Sequence, residues 1–255
     1  MVAIGAAANA ATIVNLVEWM AIDINQRWTR FWDTNHSVYV SPRHLDSHYR
    51  HIADDILRVL PHRQAKVLDH GCGEALHANR IAAACGALYL CDAAPTLRTR
   101  LAERFASEPK ISILSPSDAE TLPEGQLDLV VANSLAQYLR PSDLAKLIVL
   151  WRRLLKPDGR LILADIITPD QTAITDATAL LRFAASNGFL IDAVTGLART
   201  FFSDYRKLRA ELGLTRYAEA ELIAMLRENG FAAERLTPNF GYNNARLAVV
   251  AKKSD

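Results

Sequence analysis

The residues with the clearest capacity for chemistry surround a pair of glycines. Asp69 ends an apolar run, and Gly71 and Gly73 follow it on either side of Cys72. Glycine lets a chain reverse direction without a Cβ clash and lets the backbone come close to a bound group. A strand, a glycine turn and the start of a helix form a cradle for a nucleotide-type ligand. The pattern also suits an ordinary turn, because the dinucleotide fingerprint has a third glycine where this chain has Leu76.

A second acidic residue favours the nucleotide interpretation. Asp92, followed by Ala93, ends the apolar run 87–91 and lies nineteen residues beyond Gly73. A carboxylate at the end of the next parallel strand can accept hydrogen bonds from both hydroxyls of a ribose. The alternative is a helix cap, since a helix is predicted from Pro95 and Asp is common at such a position. Asp92 could perform both roles, because its backbone and its side chain can each serve one of them.

Polar pairs follow two later predicted strands. Asp118 and Ala119 lie in the segment 117–123, which is predicted to be a polar loop. The carboxylate could accept a hydrogen bond from an exocyclic amine, and the Ala119 N–H could donate to a ring nitrogen. Asn133 and Ser134 end a buried-type strand. Open parallel sheets bind ligands at the carboxyl ends of their strands, so we expect both pairs near the ligand. A solvated loop is the alternative for 117–123.

The elements that would position these residues alternate along the chain. Apolar runs and helix-like segments follow one another from residue 65 to residue 165, which predicts parallel βαβ units with right-handed crossovers. Residues 168–214 break this rhythm and predict a helical insertion, which either roofs the ligand edge or only packs on the core. The runs 231–236 and 245–251 predict a terminal antiparallel hairpin.

Composition limits the class of protein. Half of the 255 residues are hydrophobic, 22% are charged, and the formal net charge is +1, so we expect a globular protein without a nucleic-acid partner. Three cysteines, Cys72, Cys85 and Cys91, show neither metal-ligand spacing nor an even framework. We therefore predict no metal site, a reducing compartment and a cytoplasmic location.

The first 44 residues contain two further patterns. Near the start of the chain, apolar residues recur at helical spacing and predict a helix with one apolar face. These residues are Ile13, Leu16, Val17, Met20 and Ile24. This helix would dock on the domain or on a second subunit, so a homodimer stays open. A membrane-facing lid is the alternative, but the polar face lacks the expected basic residues. The stretch 27–44 is rich in aromatic and basic side chains, and Tyr39 and Arg43 could line a pocket mouth and hold a carboxylate, or simply pack between helices.

The ordered motifs resemble class I S-adenosylmethionine-dependent methyltransferases. The run 67–73 is similar to the first motif of that family, Asp92 to the acid that binds the cofactor ribose, and Asp118 with Ala119 to the adenine-contacting loop. The run 133–139 resembles the fourth motif, and 155–161 the segment before the fifth strand. The resemblance covers about residues 45–167 and the final hairpin.

The resemblance implies a fold and a division of the chain. The fold is an α/β Rossmann-like seven-stranded, mostly parallel sheet with a C-terminal antiparallel hairpin, N-terminal helices and a helical insertion after the fifth strand. Residues 1–44 would form an N-terminal helical extension or lid, and 45–255 the methyltransferase domain with its insertion at about 168–214. Neither the extension nor the insertion resembles a known segment.

The implied activity is methyl transfer from S-adenosylmethionine to a small-molecule acceptor. The cofactor-binding candidates are Asp69, Gly71, Cys72, Gly73, Asp92, Ala93, Asp118, Ala119, Asn133, Ser134, Tyr39 and Arg43. An amine or hydroxyl acceptor also needs a base, for which the candidates are His36, His77, Tyr138 and Tyr242, and we predict His36 and Tyr138 as the catalytic residues. For each of these side chains, the alternative to a catalytic role is that it packs in the core or lies exposed on the surface.

Three other functions stay open at this point. A lipid or quinone methyltransferase would use the N-terminal helix at a membrane surface. A nicotinamide-dependent oxidoreductase is disfavoured by Leu76 at the third glycine position. A methyltransferase-like fold could also serve as a binding module without catalysis. The choice among oxygen, nitrogen and carbon acceptors is open as well.

Overall fold

A computed structural model describes residues 26–34, 38–200 and 204–254 of the chain. The predicted N-terminal helix at 13–24 and the candidate base His36 lie outside these residues. The first described segment contains helix α1, over residues 26–32.

The centre of the molecule is a seven-stranded sheet. In chain order the strands are β1 (Lys66–His70), β2 (Ala87–Cys91), β3 (Ile111–Leu114), β4 (Leu127–Asn133), β5 (Leu155–Ile166), β6 (Phe231–Arg235) and β7 (Leu247–Lys253). Their spatial order is β3-β2-β1-β4-β5-β7-β6, with β1 to β5 parallel and β7 antiparallel to both β5 and β6. The predicted Rossmann-like sheet with its C-terminal antiparallel pair is confirmed.

Helices cover both faces of this sheet. They are α2 (Pro42–Val59), α3 (Ala78–Ala84), α4 (Pro95–Arg104), α5 (Pro116–Glu120), α6 (Pro141–Leu154), α7 (Ala173–Asn187), α8 (Leu190–Thr200), α9 (Asp204–Leu212) and α10 (Glu219–Glu228). One core cluster joins α2, α3 and α4 to one face, and a second joins α6 and α10 to the other. Strand β4 is buried along nearly its whole length, as expected for a central parallel strand covered on both faces.

The insertion after β5 is helical, as predicted. Helices α7, α8 and α9 follow one another there, and a small third cluster of Phe183, Ala184, Phe189 and Ala193 holds α7 against α8. Helix α7 begins at a side-chain cap from Thr172 and ends at Gly188 in the left-handed conformation. The expected division at 44/45 falls inside α2, because its cap, Ser41, and Pro42 start the helix earlier.

Two local expectations were wrong. The segment 117–123, predicted as a polar loop, carries α5, because Ser115 and Asp118 form a capping box and Pro116 occupies the first turn. The segment 155–161, expected to precede the fifth strand, is instead part of it, because β5 begins at Leu155. The register with β4 shifts there, so residues 156–159 form a bulge within β5.

Candidate functional site

A cavity of about 750 Å³ lies along the edge where β1, β2, β4 and β5 end. Its wall begins at the glycine turn, Asp69 to Gly73, continues past Asp92, and reaches Asn133, Ser134 and Asp165 on the other side. This is the carboxyl edge of the parallel strands, where open α/β sheets bind ligands. The cavity is thus in the place that the sequence motifs indicated.

Backbone hydrogen bonds fix the glycine turn. The N–H groups of Gly71 and Cys72 both donate to the Cys91 carbonyl, at 2.8 and 3.1 Å, which ties the turn to the end of β2. Gly73 has a φ of +57°, and a Cβ there would lie 2.2 Å from the Tyr49 hydroxyl oxygen. Glycine is therefore required at 73 by a neighbouring side chain of the protein as well as by the backbone turn.

Asp92 bridges the turn and the next helix. Its Oδ2 accepts the Gly73 N–H at 3.0 Å, and its Oδ1 accepts the Ala94 N–H at 2.9 Å. A carboxylate has about four acceptor sites, so sites remain for two hydroxyls of a ribose. The hydrogen bond to Ala94, just before α4, and the ligand role proposed for Asp92 are therefore compatible in this geometry.

A buried carboxylate, Asp69, and a half-buried one, Asp92, influence each other at the cradle. Burial, together with the nearby charge of Asp92, raises the pKa of Asp69 to about 7. Burial also raises the pKa of Asp92, against the pull of the Ala94 and Gly73 N–H groups. Two acids with raised pKa values form a site that a cation would stabilise, and S-adenosylmethionine carries a sulfonium and an ammonium group.

Unpaired polar atoms point to a ligand in the same region. Asn133 Oδ1 and Gln137 Oε1 are buried without a hydrogen-bond partner among the described residues, and both residues line the cavity. Buried acceptors are rarely left unsatisfied in native proteins. The residues present therefore fit a ligand that carries hydrogen-bond donors.

A charged cluster closes the β5 end of the cavity. The Ser134 hydroxyl donates to the Asp165 carboxylate, and Arg246 Nη1 lies 3.7 Å from Asp165 Oδ2. The same guanidinium binds Asp176 more closely, at 3.0 and 3.1 Å to its two oxygens. Burial raises the pKa of Asp165 although Arg246 and Ser134 lower it. Asp165, Asp176 and Arg246 all line the cavity.

Aromatic rings and neutral histidines form the remaining wall. Tyr242 stacks on Phe183 with ring centroids 4.4 Å apart, and His44 stacks on Phe189 at 5.1 Å. Burial lowers the pKa of His44 to about 4 and that of His48 to about 3, so both rings are neutral at pH 7. The Val40 N–H donates to His44 Nδ1, which leaves the His44 proton on Nε2.

Most of the predicted cofactor residues line this cavity. They are Asp69, Gly71, Cys72, Gly73, Asp92, Ala93, Asn133, Ser134 and Tyr39. Of the candidate bases, Tyr138 also lines it and packs on Trp28 with centroids 4.8 Å apart, and Tyr242 lies in the wall. His36 lies outside the described residues. His77 is not in the wall, since its ring faces Asp46 at 2.9 Å near the surface.

Three predicted cofactor residues have other partners. The Asp118 carboxylate accepts from both the backbone and the hydroxyl of Ser115, and the Ala119 N–H donates to the Ser115 carbonyl. Both groups are thus used by the first turn of α5. Arg43 donates to the Gly188 carbonyl at 2.8 Å, so its guanidinium ties α2 to the end of α7. These three residues are not among those that line the cavity.

Several residues of the wall were not predicted from the sequence. Asp165 carries the same signal as Asp69 and Asp92, an acid at the end of a parallel strand, and that signal could have identified it. Asp176 and Arg246 lie seventy residues apart, and no local pattern links them. Within the part of the chain that the structure describes, no group of His, Cys, Asp or Glu is arranged to hold a metal ion.

Comparison with known proteins agrees with this geometry. Residues 68–163, which run from β1 into β5, match the model of a methyltransferase domain. The match to residues 68–163, the seven-stranded sheet and the cradle at its edge together support the class I S-adenosylmethionine-dependent methyltransferase superfamily. No curated protein matches the sequence.

Solved structures share the fold at low sequence identity. The YcgJ protein of Bacillus subtilis is 19% identical with a TM-score of 0.52, over 74% of this chain and 71% of that one. DhpI, solved in complex with SAH, is 11% identical with a TM-score of 0.57, over 91% and 97%. The mitomycin 7-O-methyltransferase MmcR is 18% identical with a TM-score of 0.56, over 81% of this chain and 54% of MmcR.

Proposed function

We propose that this S-adenosylmethionine-dependent methyltransferase acts on a small-molecule acceptor. The observation that supports this acceptor class is the shape of the cavity, which continues from the cradle into a chamber bounded by α1, α2, α7 and the connection between β6 and β7. Its volume of about 750 Å³ lies in the range of small-ligand pockets, roughly 300–1,000 Å³. Residues 1–44 and the insertion 168–214 would then select the acceptor.

The chain's own residues would bind and orient the two reactants. S-adenosylmethionine, when bound, supplies an electrophilic methyl group on a positively charged sulfur. The backbone of the glycine turn and Asp92 would hold its nucleoside end, and Asp69 would favour its positive charge. Holding donor and acceptor in line can remove on the order of 7–11 kcal/mol from a barrier. With both reactants bound, the aromatic wall would exclude water, which would strengthen these electrostatic interactions.

Titration with S-adenosylhomocysteine tests the cofactor site. We expect saturable binding by calorimetry, and no binding of NAD under the same conditions. Asp92→Ala should weaken the affinity by roughly 1.5–3 kcal/mol, the scale of a charge-assisted hydrogen bond. Asp158→Ala is the matched control, since Asp158 is exposed on the bulge of β5 at the far end of the sheet. An unchanged affinity in Asp92→Ala would remove this carboxylate from the cofactor site.

A labelling experiment tests the acceptor class. The protein is incubated with methyl-labelled S-adenosylmethionine and a fractionated cell extract. Label in aqueous small molecules supports the proposal, and label on polypeptide contradicts it. Label in the organic fraction would instead favour a lipid or quinone acceptor. Within the described ranges, no helix has the length and apolar character needed to cross a membrane.

A further inference from the structure

Asp165 lies at the β5 end of the cavity, away from the cradle proposed to bind the cofactor, and is therefore placed to contact the acceptor. The cradle follows β1, and Asp92 follows β2. Asp165 lies at the end of β5, which is separated from β1 by β4 and lies on the side of β1 away from β2. Neighbouring strands are about 4.8 Å apart, so the end of β5 lies about 10 Å from the end of β1 and about 14 Å from that of β2. A group bound by Asp165 is therefore well separated from the nucleoside end of the cofactor.

The position of the Asp165 carboxylate is held from several sides. Its residue has a φ of +55°, and Ser134, which donates to it, has a φ of +54°. The Asp165 N–H donates to Asn239 Oδ1 at 3.0 Å, which fixes the backbone in this conformation. Left-handed backbone at non-glycine residues costs free energy and is concentrated at functional sites. Two such residues at adjacent strand ends, both in the cavity wall, indicate that this side of the cavity is built for a ligand.

The cluster around Asp165 carries a net negative charge. Arg246 is the cation nearest to Asp165, and its short contacts go to Asp176, so two carboxylates share one guanidinium. Gln171 and Asn243 also donate to Asp176 and hold it in place. His44 and His48 contribute no charge at neutral pH, because their pKa values are about 4 and 3.

The other basic side chains in the cavity wall lie on different elements. Lys146 is on α6, where it faces Asp143 at 3.5 Å, and Arg209 is on α9. The cluster at β5 would therefore repel an anionic group and attract a cation.

Two tyrosines lie near the same carboxylate. Tyr39 and Tyr242 both line the cavity, and the Asp165 charge adds to burial in raising the pKa of each phenol. Aromatic faces attract cations, most strongly where water is excluded. A carboxylate that shares a cavity wall with aromatic rings suits an ammonium group with an apolar body.

We propose that Asp165 binds the methyl acceptor, and that the acceptor is a protonated amine on an aromatic or other apolar body. This inference rests on the proposed function and narrows its acceptor. In the transfer, the bound ammonium gives one proton to Asp165, and its nitrogen lone pair forms a bond to the methyl carbon. The carbon–sulfur bond breaks, its electron pair stays on sulfur, and the products are a methylated ammonium and S-adenosylhomocysteine. Asp165 then releases the proton to water.

Three small molecules that share a phenyl group and differ in their polar group test whether the site prefers a cation. 2-Phenylethylamine, 2-phenylethanol and phenylacetate are titrated into the protein saturated with S-adenosylhomocysteine. We expect the amine to bind best and the carboxylate worst. Asp165→Asn should weaken amine binding about tenfold or more, as for loss of a charge-assisted interaction, and leave the alcohol nearly unchanged. Asn tolerates the left-handed backbone and can still accept from Ser134, so this variant keeps the fold.

Controls separate the inference from the proposed function. Asp158→Asn on the same strand should change neither amine nor S-adenosylhomocysteine binding. Asp165→Asn should leave S-adenosylhomocysteine affinity unchanged, and a large loss there would assign Asp165 to the cofactor. If the wild type binds S-adenosylhomocysteine but not the amine, or prefers phenylacetate, the inference fails and the proposed function stands. If S-adenosylhomocysteine does not bind, both fail.

The pH dependence of transfer tests the proton step. With methyl-labelled S-adenosylmethionine and 2-phenylethylamine, Asp165→Asn should lose most of the transfer at neutral pH. It should recover toward the wild-type rate as the pH approaches that at which the amine loses its own proton. A variant that is equally impaired at all pH values would contradict a proton-accepting role, and transfer by the wild type to the alcohol alone would overturn the amine assignment.

Discussion

At position 73 the side chain of Tyr49 restricts the choice of residue to glycine. The Tyr49 hydroxyl accepts the Glu74 N–H at 2.9 Å and receives a hydrogen bond from Tyr39 at 3.2 Å, so it cannot easily move away. A Cβ at position 73 would meet that oxygen. The glycine of the motif thus serves the packing of α2 against the turn as well as the backbone of the cradle.

A double-mutant cycle tests this reason. Gly73→Ala should lower the free energy of unfolding by more than the roughly 1–2 kcal/mol that a left-handed alanine costs, because the Tyr49 hydroxyl blocks it. In a Tyr49→Phe background the same change should cost only about that amount. Gly125→Ala is the matched control, since Gly125 has a φ of +64° and nothing within 4 Å of an added Cβ. Equal costs in both backgrounds, measured by urea unfolding, would contradict the steric argument.

The raised pKa of Asp69 predicts a pH-dependent stability. Its folded-state pKa of about 7 lies above the ordinary value of 3.8, so its contribution is fully present below about pH 4 and is lost as the pH rises through 7. Asp69→Asn removes this titration. The variant should therefore gain stability relative to the wild type from pH 4 to pH 7, by at most about 1.4 kcal/mol per pH unit.

Urea unfolding of both proteins without ligand measures this difference. Asp158→Asn, at an exposed carboxylate, should run parallel to the wild type over the same range. A difference between Asp69→Asn and the wild type that stays constant from pH 4 to pH 7 would show that Asp69 is ionised throughout.

At the level of elements, local sequence patterns predicted the strands of the sheet. Contacts between residues distant in sequence determine which side chains line the cavity. The glycine turn and the apolar run of β4 are local signals, and both elements lie where they were expected. The capping box at Ser115 was also readable as a local pattern, although the polar composition of 117–123 favoured a loop. Arg43 is predicted to bind the cofactor because it lies in the stretch 27–44, which is rich in aromatic and basic side chains. Its guanidinium donates to the carbonyl of Gly188, which is distant in sequence, so only the packing of α7 on α2 brings the two together.

Arg43→Ala distinguishes the two roles of that residue. We expect faster backbone hydrogen exchange at the end of α7, because the hydrogen bond from the guanidinium to the Gly188 carbonyl is lost. The affinity for S-adenosylhomocysteine should stay the same, since Arg43 is not in the cavity wall. Arg63→Ala, at an exposed position before β1, serves as the control for loss of one surface charge. Reduced affinity with unchanged exchange would restore the cofactor role.

At the scale of the whole molecule, the N-terminal segment connects the two sides of the cavity. On the β4 side Trp28 packs on Tyr138. On the β2 side Asp33 accepts from the backbone N–H groups of Thr96 and Leu97, at 2.7 and 3.3 Å, at the start of α4. Helix α4 has no side-chain cap from its own first residues, so Asp33 supplies it from a distance. The segment thus spans the region between the cradle and α6.

Asp33→Ala should release that connection. Loss of an N-terminal cap typically costs about 0.5–2 kcal/mol of stability, and we expect a change in that range. Because the segment borders the cavity, S-adenosylhomocysteine should also dissociate faster, while its association rate changes little. Asp33→Asn should restore both properties, since Asn is an equally good cap. Thr172→Ala removes the cap of α7 and should lower stability to a similar extent without affecting release. If Asp33→Ala lowers stability but leaves the dissociation rate in stopped-flow fluorescence unchanged, the segment covers the sheet edge without closing the site.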